Sequence, residues 1–217
     1  MKSDQDFPTE FPIFPLTGAV LFPHTRMPLN IFEPRYLSLI DAVLAGSRYM
    51  GMVQPRQASK ETVDNDASIY DIGCLGRLTA FAETDDGRYV VTLTGVSRYR
   101  IVRELQIKDG YRQVEADFSP FRQSTPQQEG ATYDRTGFMA TLSAYLDKLG
   151  ADQNQQSFEH ANDQALITAV AMSAPFAPGE KQAILECVGL EEQAEMVCSI
   201  MQMSAYDSDD ETPSLRH

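Results

Sequence analysis

Cysteine and histidine, the side chains that most often supply nucleophiles, proton carriers and metal ligands, are scarce in this chain. The sequence has three of each: Cys74, Cys187, Cys198, His24, His160 and His217. No two have the spacing of a metal-binding motif, so the sequence predicts no metal site and no bound cofactor. Cys74 and His24 are the candidate nucleophile and base, but an unpaired cysteine is more often a small buried apolar residue. The sequence therefore predicts no catalytic residue.

Nucleotide hydrolysis has no visible signature either. A phosphate-binding loop needs two glycines before its lysine, and the most similar string, at 178–182, lacks the upstream glycine and the hydroxyl residue. A serine–lysine dyad would need a lysine held in an apolar site. Lys181 is the lysine on the best-defined predicted helix, and an exposed helical lysine is the more common role. A cryptic hydrolase stays open only as an alternative.

Arg98, Arg100 and Arg103 follow one another on a predicted strand. Side chains alternate along a strand, so Arg98 and Arg100 are expected on the same face. Two interpretations are open: a patch that binds anions or an RNA backbone, and a solvated face whose arginines pair with acids. The acidic balance of the chain favours the second.

Composition and charge narrow the classes of function. The chain has 217 residues, 42% of them hydrophobic, with 18 basic and 31 acidic residues and a net charge of −13. That charge repels polyphosphate, so nucleic-acid binding is disfavoured. The cysteines are odd in number and widely spaced, which is typical of a reducing compartment, and no apolar run approaches the ~20 residues of a membrane helix. These features predict a soluble cytoplasmic protein with no membrane partner.

The first half has the pattern of a small sheet closed on itself. Short extended runs at 11–16, 26–32 and 48–54 surround a helix whose apolar face includes Leu39, Ile40 and Val43. Asp86-Gly87 between two alternating runs predicts a hairpin, and Gly95 then predicts a bulge or bend before a further strand over 96–105. A last strand is predicted over 111–118. About six strands with short turns indicate a barrel-like sheet.

The second half has helical periodicity and most of the negative charge. Residues 119–133 are rich in Pro, Gln, Ser and Gly and predict a linker. Four amphipathic helices follow within 134–205, with starts indicated by Asn162 and Pro178 and stops by Gly150 and Gly189. Residues 206–217 predict a disordered acidic tail. The fold class is α+β, and the helical apolar faces are expected to pack on the β unit and form a cleft there.

Several strings, in order, resemble the N-terminal or substrate-binding domain family of Lon proteases. They are Phe11–Leu16, Pro28–Tyr36, Gly73–Leu78, Gly95–Ile101 and Glu180–Glu186. The "IFEPRY" string is similar to the stand-alone members, which lack the ATPase and peptidase domains. The resemblance implies a PUA-like β-barrel subdomain, over 10–118 here, followed by a C-terminal α-helical bundle.

The resemblance implies a non-catalytic protein that binds polypeptide or unfolded protein segments, in substrate recognition or an adaptor-like role. Phe32, Glu33, Arg35 and Tyr36 are the expected binding residues, near the meeting of barrel and bundle. Arg35 and Tyr36 have an alternative role, which is to pin the first helix to the barrel. RNA binding is the alternative function, since PUA-like barrels elsewhere bind RNA. The sequence leaves the oligomeric state open.

Overall fold

The computed structural model describes residues 7–57, 63–121, 133–150 and 161–207. Its first half contains six strands and one helix, and its second half contains helices. The strands are β1 Glu10–Pro15, β2 Arg26–Ile31, β3 Tyr49–Val53, β4 Ile72–Glu83, β5 Tyr89–Glu104 and β6 Arg112–Asp117. The helices are α1 Pro34–Ala45, a 3-10 turn Ser119–Phe121, α2 Arg135–Leu149, α3 Asp163–Ser173, α4 Pro178–Glu186 and α5 Leu190–Asp207. The predicted linker lies mostly, and the tail almost wholly, outside the described residues.

Five strands close a barrel, which confirms the PUA-like architecture. β1 pairs in parallel with β3 and antiparallel with β6, while β3–β4, β4–β5 and β5–β6 are antiparallel pairs. The cycle β1–β3–β4–β5–β6 therefore returns to β1. β2 lies outside this cycle and pairs only with β5 among the described strands. The first half of β5 and the second half of β4 together with β2 thus form a three-stranded sheet that extends beyond the barrel.

β5 is one strand of 16 residues, where the sequence predicted two. Gly95 lies within it, and the register with β4 shifts at this point, so the predicted bulge is present but does not end the strand. A Cβ on Gly95 would lie 2.0 Å from the Phe22 carbonyl oxygen. The glycine is needed because the 20–25 segment crosses β5 here, and His24 N–H donates to the Gly95 oxygen at 2.9 Å.

The barrel interior is organised around one tyrosine. Tyr99 is fully buried, its ring lies 5.0 Å from that of Phe11, and its hydroxyl donates to the Met52 oxygen at 3.3 Å. Gly51 and Gly73 on β3 and β4 leave the space that the tyrosine ring fills. Leucine, isoleucine and valine side chains complete this small core.

Several helix ends are where local side-chain chemistry predicts, but α4 ends at Glu186, before the stop predicted at Gly189. The Asn162 side chain accepts from Ala165 N–H at 2.8 Å at the start of α3, Pro178 opens α4, and Gly150 ends α2 with φ 63°. Their apolar faces share one continuous core with α1 and the neighbouring strands. Barrel and bundle are therefore joined through buried apolar surface, as the sequence predicted. A group of buried polar side chains also lies at this contact.

Candidate functional site

The predicted binding segment is divided between the interior and the surface. The Arg35 guanidinium donates to Asn65 Oδ1 at 2.8 Å and to the Val63 oxygen at 2.7 Å, and it pairs with Glu33 at 2.8 Å. Tyr36 is buried, with its ring 4.3 Å from that of Phe14 on β1. Arg35 and Tyr36 thus hold α1 against the barrel and the 63–65 loop, which agrees with their alternative predicted role.

Phe32 is different, because the residue is 58% exposed. It follows β2 directly and lies next to Arg88, whose guanidinium carbon is 5.8 Å from the ring centroid. Exposed apolar residues that form a contiguous patch, rather than single ones, mark surfaces that bind a partner. Phe32 is therefore the member of the predicted set that is available to bind.

Phe32 borders a surface that we call the outer face. It consists of the solvent-facing side chains of β2, β5 and β4: Arg26, Pro28, Asn30, Thr94, Thr92, Val90, Arg77, Ala80 and Ala82, with Phe32 beyond the end of β2. Paired residues share a face, so these side chains form rows across the sheet. One row is Pro28–Thr92–Ala80 and the next is Asn30–Val90–Ala82. Small side chains make the centre flat, and Val90 is 43% exposed.

β2 is the free edge of this sheet within the described structure. A free edge can accept another extended chain, but Pro28 in its centre has no N–H to donate. Proline at such an edge limits uncontrolled strand pairing. The edge is therefore less suited than the face to contact with another extended chain.

The three predicted patch arginines do not lie together on the surface. Arg98 is buried, so the expectation that it belongs to an exposed anion patch is wrong. Arg103 is exposed and pairs with Glu115 at 2.6 Å. Arg100 is exposed and lines a cleft described below. Burial separates the neighbours because α4 and the 3-10 turn cover the strand at Arg98 and leave Arg100 uncovered.

Arg98 stabilises the end of α4. Its guanidinium donates to the Leu185 oxygen at 3.0 Å, to the Val188 oxygen at 2.8 Å, and to the Cys187 oxygen. Its carbon also lies 4.7 Å from the ring centroid of Phe121. Burial lowers the pKa of Arg98, which remains a cation at any ordinary pH because it starts so high. A cation at these carbonyls also complements the helix dipole.

Two buried glutamines complete the contact between barrel and bundle. Gln54 accepts from Gly18 N–H at 3.0 Å and donates to the Pro178 oxygen at 2.9 Å. Gln182 donates to the Ile72 oxygen at 3.0 Å. We call Gln54, Arg98 and Gln182 the interface network. Sequence reasoning missed both glutamines, because glutamine is common on exposed surfaces and its partners here are distant along the chain.

A cleft of about 470 Å³ lies between the barrel and α4. Its lining is largely charged, with Arg56, Asp71, Arg100 and Glu186 beside Tyr70, Ile72 and Ile101. Arg56 is held within it by an ion pair to Asp71 at 3.0 Å. A cleft between barrel and bundle was predicted. Its polar lining makes it less suited than the outer face to an apolar ligand.

The candidate nucleophile is in the wrong place for catalysis. Cys74 is fully buried, and burial raises the pKa of its thiol to about 12, while His24 is exposed. Lys181 donates to the Met172 oxygen at 3.1 Å, and burial lowers its pKa. The described residues contain no group of three or more His, Cys, Asp or Glu side chains able to hold a metal ion. None of the helices described is long and apolar enough to cross a membrane.

Comparisons with a family model and with known proteins all identify the same family. The protein-family model of the ATP-dependent protease La (LON) substrate-binding domain matches residues 10–203. The Lon protease of Desulfosudis oleivorans is 28% identical over 142 residues, which are 65% of this chain and 16% of that protein. Lon protease 2 of Myxococcus xanthus is 24% identical over 201 residues, which are 91% of this chain and 24% of that protein. The chain thus spans less than a quarter of the length of these relatives.

Solved structures show the same fold. The crystal structure of a Lon N-terminal domain protein from Xanthomonas campestris superposes with a TM-score of 0.61 at 21% identity, covering 92% of this chain and 99% of that one. The N-terminal domain of a Mycobacterium avium complex Lon protease gives 0.60 at 14% identity, covering 89% and 98%. The likeness extends over both the barrel and the helices.

Proposed function

Because the chain belongs to the LON substrate-binding domain family, we propose that it binds polypeptide, and that the outer face is its binding surface. The observation that supports this site is the exposure of Phe32 and Val90 beside a flat area of small side chains. Solvent would leave this apolar surface when a partner covers it. The proposal assigns no role in binding to Glu33, Arg35 or Tyr36.

An extended segment suits the shape of the outer face. A flat sheet surface offers shallow depressions between its rows, and alternate side chains of an extended chain reach it from one side. Pro28, Ala80 and Ala82 leave room for apolar side chains of the ligand. Burial of apolar area then contributes about 25 cal/mol per Å², without a requirement for one sequence. Such binding is suited to unfolded or partly unfolded proteins.

The proposed role is recognition without chemistry. The buried Cys74 thiol is a poor nucleophile in its surroundings, and the Lys181 amine is occupied by its hydrogen bond to the Met172 oxygen. An adaptor-like or substrate-recognition role needs only the binding surface. The protein would hold its partner and leave any reaction to another active site.

Fluorescence anisotropy with a labelled, permanently unfolded protein, such as reduced and carboxymethylated lactalbumin, tests the proposal. The Phe32→Ser, Val90→Ser double variant is expected to bind at least tenfold more weakly, since two exposed apolar contacts contribute about 2 kcal/mol together. Both side chains are exposed, so unfolding midpoints should not change.

Met203→Ser is the matched control, because Met203 on α5 is 64% exposed and lies outside the outer face. It should bind like the unaltered protein. Equal affinity of the double variant and the unaltered protein would remove the outer face from the proposal.

A further inference from the structure

Of the eleven arginines that the structure describes, six have an acidic partner in an ion pair and four have none. In the described part of the chain, ion pairs occupy Arg35, Arg56, Arg88, Arg103, Arg112 and Arg135. Arg98 is committed to α4 carbonyls. Arg26, Arg48, Arg77 and Arg100 have no ion pair there. These four arginines lack an ion pair in the described structure although the chain has 31 acidic residues.

Two of the unpaired arginines lie in the same row of the outer face. Thr94 of β5 pairs with Arg26 on one side and with Arg77 on the other. Two strand spacings separate their Cα atoms by about 10 Å, so their long side chains can reach one anion between them. The Thr94 hydroxyl lies between the arginines and is hydrogen-bonded to the Thr79 hydroxyl, 3.0 Å away.

A third arginine, Arg48, lies at the same end of the sheet. The Arg48 oxygen accepts from Leu78 N–H at 2.8 Å, and Tyr49, the next residue, pairs with Arg77. Arg48 is exposed. No acidic residue occurs among the outer-face residues of β2, β5 or β4. The positive charge at this end is therefore not neutralised by its own sheet.

We propose that the outer face selects polypeptide segments in which an acidic side chain lies beside an apolar stretch. This inference rests on the proposed function and names the class of segment it prefers. The carboxylate lies between Arg26 and Arg77, which can each donate a charge-assisted pair of hydrogen bonds. The apolar side chains of the segment cover Val90 and Phe32.

The positions of these groups give the spacing of the preferred segment. Phe32 is six positions beyond Arg26, and Val90 is four positions from Thr94, all on the outer face. At about 3.3 Å per residue, the arginine row and Phe32 are about 20 Å apart. An extended segment that runs along β2 would match them with an acid at one position and apolar residues four and six positions away. Even spacings keep all three side chains on the same side of the segment.

Paired arginines also bind phosphate, so a single-stranded RNA is the competing ligand. Two features favour an acidic peptide. The net charge of −13 opposes a polyanion far more than a single carboxylate. The outer face also offers one aromatic ring, whereas proteins that bind single-stranded nucleic acid stack successive bases on several.

Three labelled ten-residue peptides test the preference. They share two leucines at spacings of four and six from a position that is Glu, Gln or Lys. The Glu peptide is expected to bind at least fivefold more tightly than the Gln peptide, and the Lys peptide most weakly. Because the contact is ionic and exposed, the Glu preference should shrink between 50 and 500 mM salt.

The Arg26→Gln, Arg77→Gln double variant should bind Glu and Gln peptides within twofold of each other, with the Gln peptide unaffected. Arg103→Gln, which removes an arginine outside the outer face, is the control and should keep the preference. Equal binding of Glu and Gln peptides to the unaltered protein would overturn this inference and leave the proposed function intact. A preference that survives in the double variant would overturn it too.

Two other outcomes concern the proposed function and the class of ligand. If the unaltered protein binds neither the peptides nor the unfolded protein, both proposals are wrong. Arginine-dependent binding of a ten-nucleotide RNA at 150 mM salt, tighter than that of the Glu peptide, would overturn the peptide assignment in favour of a phosphate ligand.

Discussion

Arg98 shows how one residue can have a different role from the one its sequence context indicates. Next to Arg100 and Arg103 on a strand, it has the pattern of a surface cation. Its partners are carbonyl oxygens at the end of α4, 87 to 90 residues further along the chain. Local periodicity contains no information about contacts at that separation. Tyr36, one of the expected binding residues, is buried on the periodic apolar face of α1, which agrees with its alternative predicted role.

Arg98→Met should lower the free energy of unfolding by about 3 kcal/mol. The methionine fills similar space but leaves buried carbonyls of α4 without donors, and each lost hydrogen bond to a charged group contributes about 1.5–3 kcal/mol. Urea unfolding followed by far-UV circular dichroism measures the change.

The control is Arg103→Met, whose exposed ion pair with Glu115 contributes below about 1 kcal/mol. If both variants lose the same stability, Arg98 has no special part in holding α4.

At the scale of elements, turns and caps were predictable and strand continuity was not. The hairpin at Asp86-Gly87 and the helix start at Asn162 are set by residues within four positions of each other, so the sequence contains the whole cause. Gly95 had the pattern of an interruption, yet β5 continues through it. Its glycine is required by the crossing 20–25 segment, which only the folded barrel brings there.

The pairing of β3, β4 and β5 around Tyr99 gives a prediction for Gly73→Ala. The new Cβ would lie 2.4 Å from the Met52 oxygen and 2.6 Å from the Tyr99 hydroxyl, so strands and ring must move apart. Overpacking of this kind costs about 1–3 kcal/mol. Thermal unfolding should show a clear fall in the midpoint.

Gly189→Ala is the matched control, since no other atom lies within 4 Å of its added Cβ. Its midpoint should change little or rise slightly. A Gly73→Ala protein as stable as Gly189→Ala would show that the space around Tyr99 is looser than described.

At the scale of the whole molecule, the interface network joins barrel and bundle through buried polar contacts. Gln54 and Gln182 bury polar groups that are satisfied only when both parts are in place. The apolar contact between the two parts could be predicted from helix periodicity, because unburied leucines and isoleucines must find a partner. The interface network and the outer face could not be predicted from the sequence. Both depend on how parts of the chain that are distant in sequence come together.

This organisation predicts coincident unfolding. The chain has no tryptophan and nine tyrosines, so tyrosine fluorescence and far-UV circular dichroism should give the same urea midpoint. Gln182→Ala should lower both midpoints together, by about 2 kcal/mol of unfolding free energy. Gln113→Ala, which loses an exposed contact to the Gln106 oxygen, is the control. Separate midpoints for the two signals would show that barrel and bundle are independent modules.

The barrel closes by pairing β1 with β6, and these two strands are synthesised at different times. Ile13 on β1 pairs with Arg112 on β6, 99 residues later. A ribosome adds about 5–20 residues per second, so β1 waits several seconds in the emerging chain before β6 exists. During that interval the apolar residues Phe11, Ile13 and Phe14 have no barrel to enter. A domain proposed to recognise unfolded chains is thus itself such a chain, with an exposed apolar first strand, until the last strand of the barrel has been synthesised.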